Sequence, residues 1–238
     1  MPTLSFQRRR SEIEEYFDRT ALEAWTKLTS EAPVSGIRAT VRAGRARMQS
    51  LLTGWLPEDL SGRTVLDAGC GAGGLALALA ARGAQVLAVD LSPSMVAIGR
   101  GRVREEDPVA AERIEFAAGD VLEQSEGRVF DHVVAMDSLI HYEREDAISM
   151  IGALAARTRG SMSFTFAPRT PALALMHVTG RLFPRGDRAP AIVPIAPREL
   201  FDGLADRVRD FTVRDTQRVA SGFYTSQGVD FARREDDH

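Results

Sequence analysis

The sequence predicts an α/β fold in which helices cover both faces of a parallel β-sheet. From residue 59 to about residue 166, short apolar runs alternate with helical patterns, which is typical of parallel strands joined by crossover helices. A glycine-rich turn with the spacing G-x-G-x-x-G, residues 69–74, lies between a strand pattern and a helix pattern. An acidic residue follows each of the first three strand patterns. Together these observations predict a Rossmann-like sheet that binds a nucleotide-type cofactor at the carboxyl ends of its strands.

The composition is consistent with one α/β domain with additions. The chain has 238 residues, of which 44% are apolar, and a formal net charge of −3. This charge argues against a protein that binds nucleic acid by neutralising phosphates, so no nucleic-acid partner is expected. The single cysteine, Cys70, excludes an internal disulfide framework. Residues 1–16 are charged and the apolar stretch 171–183 is too short for a bilayer span, so a cytoplasmic protein with at most peripheral membrane contact is expected.

An arm of two amphipathic helices is predicted ahead of the first strand, over residues 1–58. Apolar residues recur at helical spacing over residues 13–28 and again over roughly residues 34–55. Tyr16 lies on the inward face of the first of these helices. Placed across the carboxyl ends of the strands, the arm would act as a lid that excludes water from the site of a domain spanning residues 59–238.

Four arginines lie beside the apolar stripe of the second arm helix. Such side chains most often form a solvated face. As a group they can also attract a carboxylate of the substrate or of the cofactor, because guanidinium groups bind carboxylates through paired hydrogen bonds. They are Arg38, Arg42, Arg45 and Arg47.

The first strand, residues 64–66, ends at Asp67, and a helix is predicted over residues 75–81. Because glycine has no Cβ, the turn between them lets a ligand lie against bare backbone. A dinucleotide would place a pyrophosphate beside the Asp67 carboxylate, where the two charges repel. S-adenosylmethionine would place an ammonium and a sulfonium there, so Asp67 favours this cofactor. The residues of the turn expected to bind it are Gly69, Cys70, Gly71 and Gly73.

The next two strands are followed by acids that suit the same cofactor. Asp90 follows residues 85–89 and lies where a carboxylate can bind both hydroxyls of a ribose. Asp120 follows residues 114–118, where it could accept a hydrogen bond from the adenine amine. Three acids at three consecutive strand ends are the strongest evidence for a cofactor site. Further residues expected to line it are Leu91, against the adenine, and Gly119, Val121 and Met136.

A fourth strand is predicted over residues 130–135 and a fifth over residues 161–167. A long connection, residues 168–196, follows and contains an apolar helix pattern at residues 172–183. Such a connection suits a cover over a substrate or contact with a membrane interface. The rest of the chain predicts a helix over residues 198–205, a hairpin with strands over residues 208–215 and 219–225, and a frayed tail over residues 233–238.

Several stretches together resemble the magnesium-protoporphyrin IX methyltransferases, which are class I S-adenosylmethionine-dependent methyltransferases. The glycine-rich turn is common to all class I methyltransferases. The specific parts are Tyr16-Phe17 in the arm, residues 138–142 (Ser-Leu-Ile-His-Tyr) after the fourth strand, and the apolar cover that ends in residues 182–184. Residues 136–137 and 221–224 also carry the resemblance. The resemblance extends over roughly residues 12–226.

The resemblance implies methyl transfer from S-adenosylmethionine to one propionate of magnesium protoporphyrin IX, giving a monomethyl ester on the way to chlorophyll or bacteriochlorophyll. It implies that Tyr16 and His141 are the catalytic residues. The porphyrin-binding subunit of magnesium chelatase is a candidate partner, and the photosynthetic membrane a candidate site of peripheral contact. No metal site in the protein itself is expected. Candidate substrate-binding residues are Arg38, His177, Arg181 and Arg185.

A propionate is already ionised near neutral pH, so the transfer requires alignment of oxygen, methyl carbon and sulfur rather than a strong base. We therefore expect His141 to orient the propionate through a hydrogen bond. Tyr16 would hold the lid closed and help to place the methyl group. His177 is either a packed histidine or an axial ligand of the porphyrin magnesium.

Three alternatives remain open. Another small-molecule acceptor, such as a quinone or a free acid, would suit the same cofactor domain. An NAD-dependent oxidoreductase would use Asp90 for the ribose, although Asp67 argues against it. A protein that carries the porphyrin from the chelatase without catalysis would need the apolar cover but not His141.

Overall fold

The computed structural model describes residues 4–16, 18, 36–169 and 192–234 of the chain. The helices are α1 (Leu4–Glu15), α2 (Ile37–Gly54), α3 (Gly74–Ala80), α4 (Pro93–Glu106), α5 (Pro108–Ala111), α6 (Val121–Gln124), α7 (Arg144–Ala155) and α8 (Pro197–Leu204). The strands are β1 (Thr64–Ala68), β2 (Gln85–Asp90), β3 (Ile114–Ala118), β4 (Phe130–Ala135), β5 (Thr158–Phe166), β6 (Phe211–Ser221) and β7 (Tyr224–Arg233). One turn of 3₁₀-helix covers Leu139–His141.

The strands form a seven-stranded sheet in the order β3-β2-β1-β4-β5-β7-β6. Strands β1 to β5 are parallel, whereas β7 runs antiparallel to β5 and to β6. The predicted α/β class with its carboxy-terminal hairpin is confirmed. Because β1 lies between β2 and β4, the residues that follow these three strands meet at one edge of the sheet.

Apolar side chains bury both faces of the central strands. Val65 and Leu66, neighbours on β1, are fully buried and belong to different core clusters. Successive side chains of a strand point to opposite faces, so each cluster fills one side of the sheet. One cluster includes residues of α2 and α3, and the other includes residues of α7 and α8.

Helix α2 packs against the β6–β7 hairpin. Its side chains Met48 and Leu52 are fully buried. The approach is close because of glycines: a Cβ added at Gly228 would lie 3.0 Å from the Trp55 ring, and one added at Gly44 would overlap the Tyr224 side chain. The second arm helix is therefore part of the core. The domain boundary at residue 58 stays a prediction.

Some predicted bounds differ from those in the structure. Strand β5 begins at Thr158, and the hairpin strands are longer and lie further along the chain than predicted. Gly222, at φ +57°, makes the turn inside a stretch predicted as strand. Strand β6 is exposed along most of its length, so no alternation of apolar residues marks it. Arg233, predicted as tail, belongs to β7.

Other predicted elements fall outside the described residues. These are most of the helix predicted over residues 13–28, the apolar helix at 172–183 and the tail from residue 235 onward. In the part of the chain that the structure describes, no helix has the length and apolar character needed to cross a membrane.

Candidate functional site

Two adjoining cavities open along the carboxyl edge of the sheet. The first, which we call the strand-end cavity, has a volume of about 300 Å³ and is lined by residues that follow β2, β3 and β4. The second, the turn cavity, has a volume of about 430 Å³ and lies between α2 and the glycine-rich turn. Four residues line both cavities and mark their junction: Arg45, Gly69, Gly71 and Met136.

The glycine-rich turn is held against the end of β2. The N–H groups of Gly69 and Cys70 donate to the Val89 carbonyl at 2.8 and 2.9 Å. Gly69 has a φ of +91°, and a Cβ at this position would overlap the Ser138 side chain. Only glycine adopts this backbone conformation readily and leaves the loop after β4 this close.

Asp67 lies at the bottom of the turn cavity and is 1% exposed. Neither carboxylate oxygen has a hydrogen-bond partner of normal geometry. Burial, and then the charge of Asp90, raise the pKa of Asp67 to about 7, opposed by the backbone N–H of Ala76. A buried carboxylate without a partner is costly unless a cation neutralises it. The site therefore fits a positively charged ligand.

Asp90 lines the strand-end cavity with both oxygens already positioned. Oδ2 accepts from the Gly71 N–H at 2.8 Å and Oδ1 from the Ser92 N–H at 3.0 Å. Burial raises the pKa of Asp90, while these two donors lower it. Each carboxylate oxygen can accept a second hydrogen bond, so the group can still bind ribose hydroxyls.

Asp120 also lines the strand-end cavity but has partners that the sequence did not predict. Its Oδ1 accepts from the N–H groups of Leu122 and Glu123, at 2.8 and 3.3 Å, and so caps α6. Its Oδ2 accepts from Arg10 Nη1 at 3.2 Å. The expected bond from Asp120 to an adenine amine stays a prediction.

The first arm helix is fastened over this edge of the sheet. Arg10, on α1, bonds Asp120 and also Glu123, the latter at 3.1 Å. Beyond the end of α1, Asp18 Oδ1 accepts from Ser92 Oγ at 2.9 Å and from the Ser94 N–H at 3.1 Å, at the start of α4. These contacts place α1 across the ends of β2 and β3. Movement of the arm as a lid stays a prediction.

Tyr16 and His141, the two candidate catalytic residues, line the strand-end cavity together. His141 is 8% exposed and is the last residue of the 3₁₀-helix after β4. The carbonyl of its neighbour Ile140 accepts from the Val193 N–H at 2.8 Å, so the last part of the predicted cover, residues 168–196, is attached to the loop that carries the histidine. Burial raises the pKa of the adjacent Tyr142, which therefore stays protonated.

The structure places most of the other candidates at the two cavities. Gly119, Val121 and Leu91 line the strand-end cavity, and Cys70 lines the turn cavity with its thiol pKa raised by burial. Gly73 lines neither cavity; a Cβ there would lie 3.0 Å from the Phe116 ring, so this glycine permits close packing.

The arginines of α2 separate into two groups. Arg42 and Arg45 line the turn cavity, whereas Arg38 and Arg47 are exposed and line neither cavity. The remaining substrate candidates, His177, Arg181 and Arg185, lie outside the described residues.

Sequence patterns missed the contribution of the hairpin and of the residue after Met136. Asp137 and residues 223–226 line the strand-end cavity. Phe223, in the hairpin turn, is 49% exposed beside it. These residues come together only through the order of strands in the sheet, and no local spacing indicates their proximity.

Family models match both halves of the site. A model described as "Methyltransferase domain" matches residues 65–159, which contain the glycine-rich turn and the three acids. A model described as "Magnesium-protoporphyrin IX methyltransferase C-terminus" matches residues 135–233, which contain the loop after β4 and the hairpin.

Individual proteins match along nearly the whole chain. The magnesium-protoporphyrin O-methyltransferase of Rhodobacter capsulatus is 41% identical over 223 residues, which cover 93% of this chain and 96% of that one. The enzyme of the same name from Synechocystis is 29% identical over 224 residues, covering 93% and 95% of the two chains. The crystal structure of magnesium protoporphyrin IX methyltransferase from Synechocystis with bound S-adenosylhomocysteine superposes with a TM-score of 0.83 at 28% identity. This superposition covers 94% of this chain and 100% of that one.

Proposed function

The chain belongs to the magnesium-protoporphyrin O-methyltransferase family, and we propose that it transfers a methyl group from S-adenosylmethionine to a propionate of magnesium protoporphyrin IX. The product is the monomethyl ester, an intermediate of chlorophyll or bacteriochlorophyll biosynthesis. The observation that carries the proposal is a buried carboxylate without a partner, Asp67, beside an apolar cavity that contains His141. An NAD-dependent oxidoreductase is disfavoured, because a pyrophosphate beside Asp67 would meet like charge.

The residues of the two cavities fit S-adenosylmethionine. Asp67 would face its positive charge, Asp90 would bind the ribose hydroxyls, and Leu91 would lie against the adenine. When bound, this cofactor supplies an electrophilic methyl group on a sulfonium. Arg42 lines the turn cavity and would meet the carboxylate of its methionine part.

The strand-end cavity favours reaction between opposite charges. A propionate is ionised near neutral pH, so no side chain has to remove a proton from it. Attack of an anion on a sulfonium cancels charge, and a cavity that excludes water therefore favours the reaction. Positioning of the reacting atoms contributes about 7–11 kcal/mol in well-aligned reactions. In this cavity His141 orients the propionate, and Tyr16, at the end of α1, closes it from the arm side.

The porphyrin has to reach this cavity from another protein or from a membrane. We propose that the porphyrin-binding subunit of magnesium chelatase delivers it and that contact with the photosynthetic membrane is peripheral, within a cytoplasmic location. The support is the apolar composition of residues 172–183, together with Phe223 beside the cavity.

Mass spectrometry tests the proposal directly. The full chain is incubated with S-adenosylmethionine and magnesium protoporphyrin IX, and the porphyrin is expected to gain one methyl group. A quinone and a free fatty acid serve as competing acceptors in parallel reactions. Methylation of either of these without methylation of the porphyrin would overturn the proposal that the porphyrin is the substrate. Stoichiometric porphyrin binding without any ester would indicate a carrier protein.

A further inference from the structure

We propose that Asp137 is a positioning residue for the methyl transfer, acting through Arg45 and through the loop that carries His141. This inference rests on the proposed function. Asp137 lies two residues after the end of β4, at the start of that loop, and its side chain is 5% exposed. It connects groups from α2, β5 and β7 that are far apart in the sequence.

The Asp137 carboxylate accepts hydrogen bonds from three sides. Arg45 Nη1 on α2 donates to Oδ2 at 2.6 Å, and Tyr224 Oη on β7 lies 3.1 Å from both oxygens. Thr165 Oγ1 on β5 and Ser226 Oγ on β7 lie 3.2 and 3.3 Å from Oδ1. Burial raises the pKa of the Tyr224 phenol, so the phenol keeps the proton that it donates to the carboxylate. Hydrogen bonds from this many donors fix the Asp137 carboxylate in place.

The backbone at Asp137 is also held in an unusual conformation. Its φ of +55° is the only positive value at a non-glycine residue within the described ranges. The Asp137 N–H donates to Thr165 Oγ1 at 2.7 Å, which fixes the peptide bond between Met136 and Asp137. Such conformations persist only where surrounding contacts enforce them. Here they set the direction in which the chain leaves β4 towards His141.

Arg45 connects this cluster to the reaction. It lines both cavities, so its guanidinium lies at the junction of the two. In the proposed function, the sulfonium and the attacking carboxylate meet at this junction. The short ion pair with Asp137 holds the guanidinium in one position and offsets part of its charge, which limits how strongly Arg45 binds the attacking carboxylate.

Thr165 allows a test that leaves the cavities untouched. It is fully buried and lines neither cavity, and its hydroxyl contacts Asp137. The matched control is Thr158, on the same strand, which is 1% exposed and donates to the Leu154 carbonyl at 2.8 Å. Thr165→Val is expected to lower kcat roughly tenfold while Kd for S-adenosylhomocysteine changes by less than about twofold. Thr158→Val is expected to lower Tm by about as much as Thr165→Val does and to keep the kcat of wild type.

A second pair of variants removes the charge itself. Asn tolerates positive φ, so Asp137→Asn keeps the backbone conformation and loses the ion pair. Its control is Asp230→Asn, because Asp230 is 2% exposed, bonds Arg214 at 2.7 Å and Ser163 at 2.9 Å, and lines neither cavity. Asp137→Asn is expected to lower kcat by about 10- to 100-fold, and its effect should largely disappear in an Arg45→Met background.

The outcomes separate this inference from the proposed function. Equal kcat values for Thr165→Val and wild type, with ester formed by both, would overturn the positioning role and leave the function intact. Additive losses in Asp137→Asn and Arg45→Met would also overturn it. Absence of ester with wild-type protein would instead reject the function. If Asp137→Asn does not fold, the Thr165→Val and Thr158→Val pair decides.

Discussion

At the scale of single residues, the buried carboxyl of Asp67 makes the stability of the ligand-free protein depend on pH. Its pKa rises from an ordinary 3.8 to about 7. A carboxyl whose pKa is raised on folding contributes stability below its ordinary pKa, and this contribution is lost as the pH rises through 7. The ionisable side chains that line the same cavity, besides Cys70, are Arg42, Arg45, Arg102 and Glu106, and Asp90 acts on Asp67 from β2.

Asp67→Asn removes this titration. We expect the Tm of the ligand-free variant to exceed that of wild type above about pH 7, because wild type loses the contribution of Asp67 there, and we expect the difference to shrink towards about pH 5. Each 1 kcal/mol of stability corresponds to roughly 2–4 °C in Tm. Affinity for S-adenosylmethionine is expected to fall at least about tenfold through loss of a buried charge pair. Thermal unfolding across this pH range and calorimetric titration measure both effects. A Tm difference that does not vary with pH would contradict the titration of Asp67.

His141→Ala tests the orienting hydrogen bond at the same scale. A hydrogen bond to a charged group contributes about 1.5–3 kcal/mol, so kcat is expected to fall about 10- to 100-fold. Kd for S-adenosylhomocysteine should change little, because the predicted partner of His141 is the propionate. The control is His132→Gln: His132 lies on β4, contacts Ser161 Oγ at 2.8 Å and lines neither cavity. Unchanged kcat in His141→Ala would contradict the proposal that His141 orients the propionate.

At the scale of elements, the arm contacts predict how tightly the cofactor is held. Arg10 and Asp18 fasten the arm to the ends of β2 and β3 through bonds of 2.9 to 3.2 Å. The combined variant Arg10→Gln with Asp18→Asn is expected to raise the dissociation rate of S-adenosylhomocysteine about three- to tenfold, because partly exposed pairs contribute up to about 1 kcal/mol each. Stopped-flow release measures the rate. An exposed pair on α8, Arg198 and Asp202, lines neither cavity and provides the control substitutions, Arg198→Gln with Asp202→Asn.

The elements around the cofactor could be predicted because their signals are local. A run of apolar residues that ends at an acid defines each of β1 and β2, and the acid position depends only on its own strand. The hairpin could not be predicted in this way, since β6 is exposed over most of its length and the turn at Gly222 interrupts an apolar stretch. Asp137 was missed for a related reason: its partners lie 28 to 92 residues away in the chain.

The partners of the acids also show that local sequence patterns do not reveal contacts between distant parts of the chain. The position of Asp120 at the edge of the sheet followed from the sequence, but its bond to Arg10 depends on where the arm lies. Spacing indicates which strand end a side chain occupies. It does not indicate which distant helix will pack over that end.

At the scale of the whole molecule, α2 and the hairpin form one packed unit. Gly44→Ala would place a methyl group into the Tyr224 side chain, and overpacking of this kind costs about 1–3 kcal/mol. We expect a Tm lower by about 2–12 °C, together with reduced kcat because Tyr224 bonds Asp137. Gly54→Ala is the control on the same helix: a Cβ there meets nothing within 4 Å, and alanine favours the helix by about 0.5–1 kcal/mol. Equal Tm values for the two variants would contradict the close packing.

The pairing of α2 with β6 and β7 also has a consequence for biosynthesis. Helix α2 leaves the ribosome early, whereas the hairpin strands β6 and β7 that pack against it are translated only after the central sheet. Domains fold as units during translation. The apolar side of α2 that packs against the hairpin therefore stays exposed until residues 211–233 have left the ribosome. A ribosome stalled before that point should hold a nascent chain that chaperones bind and proteases cut within α2, and release of the last strands should end both.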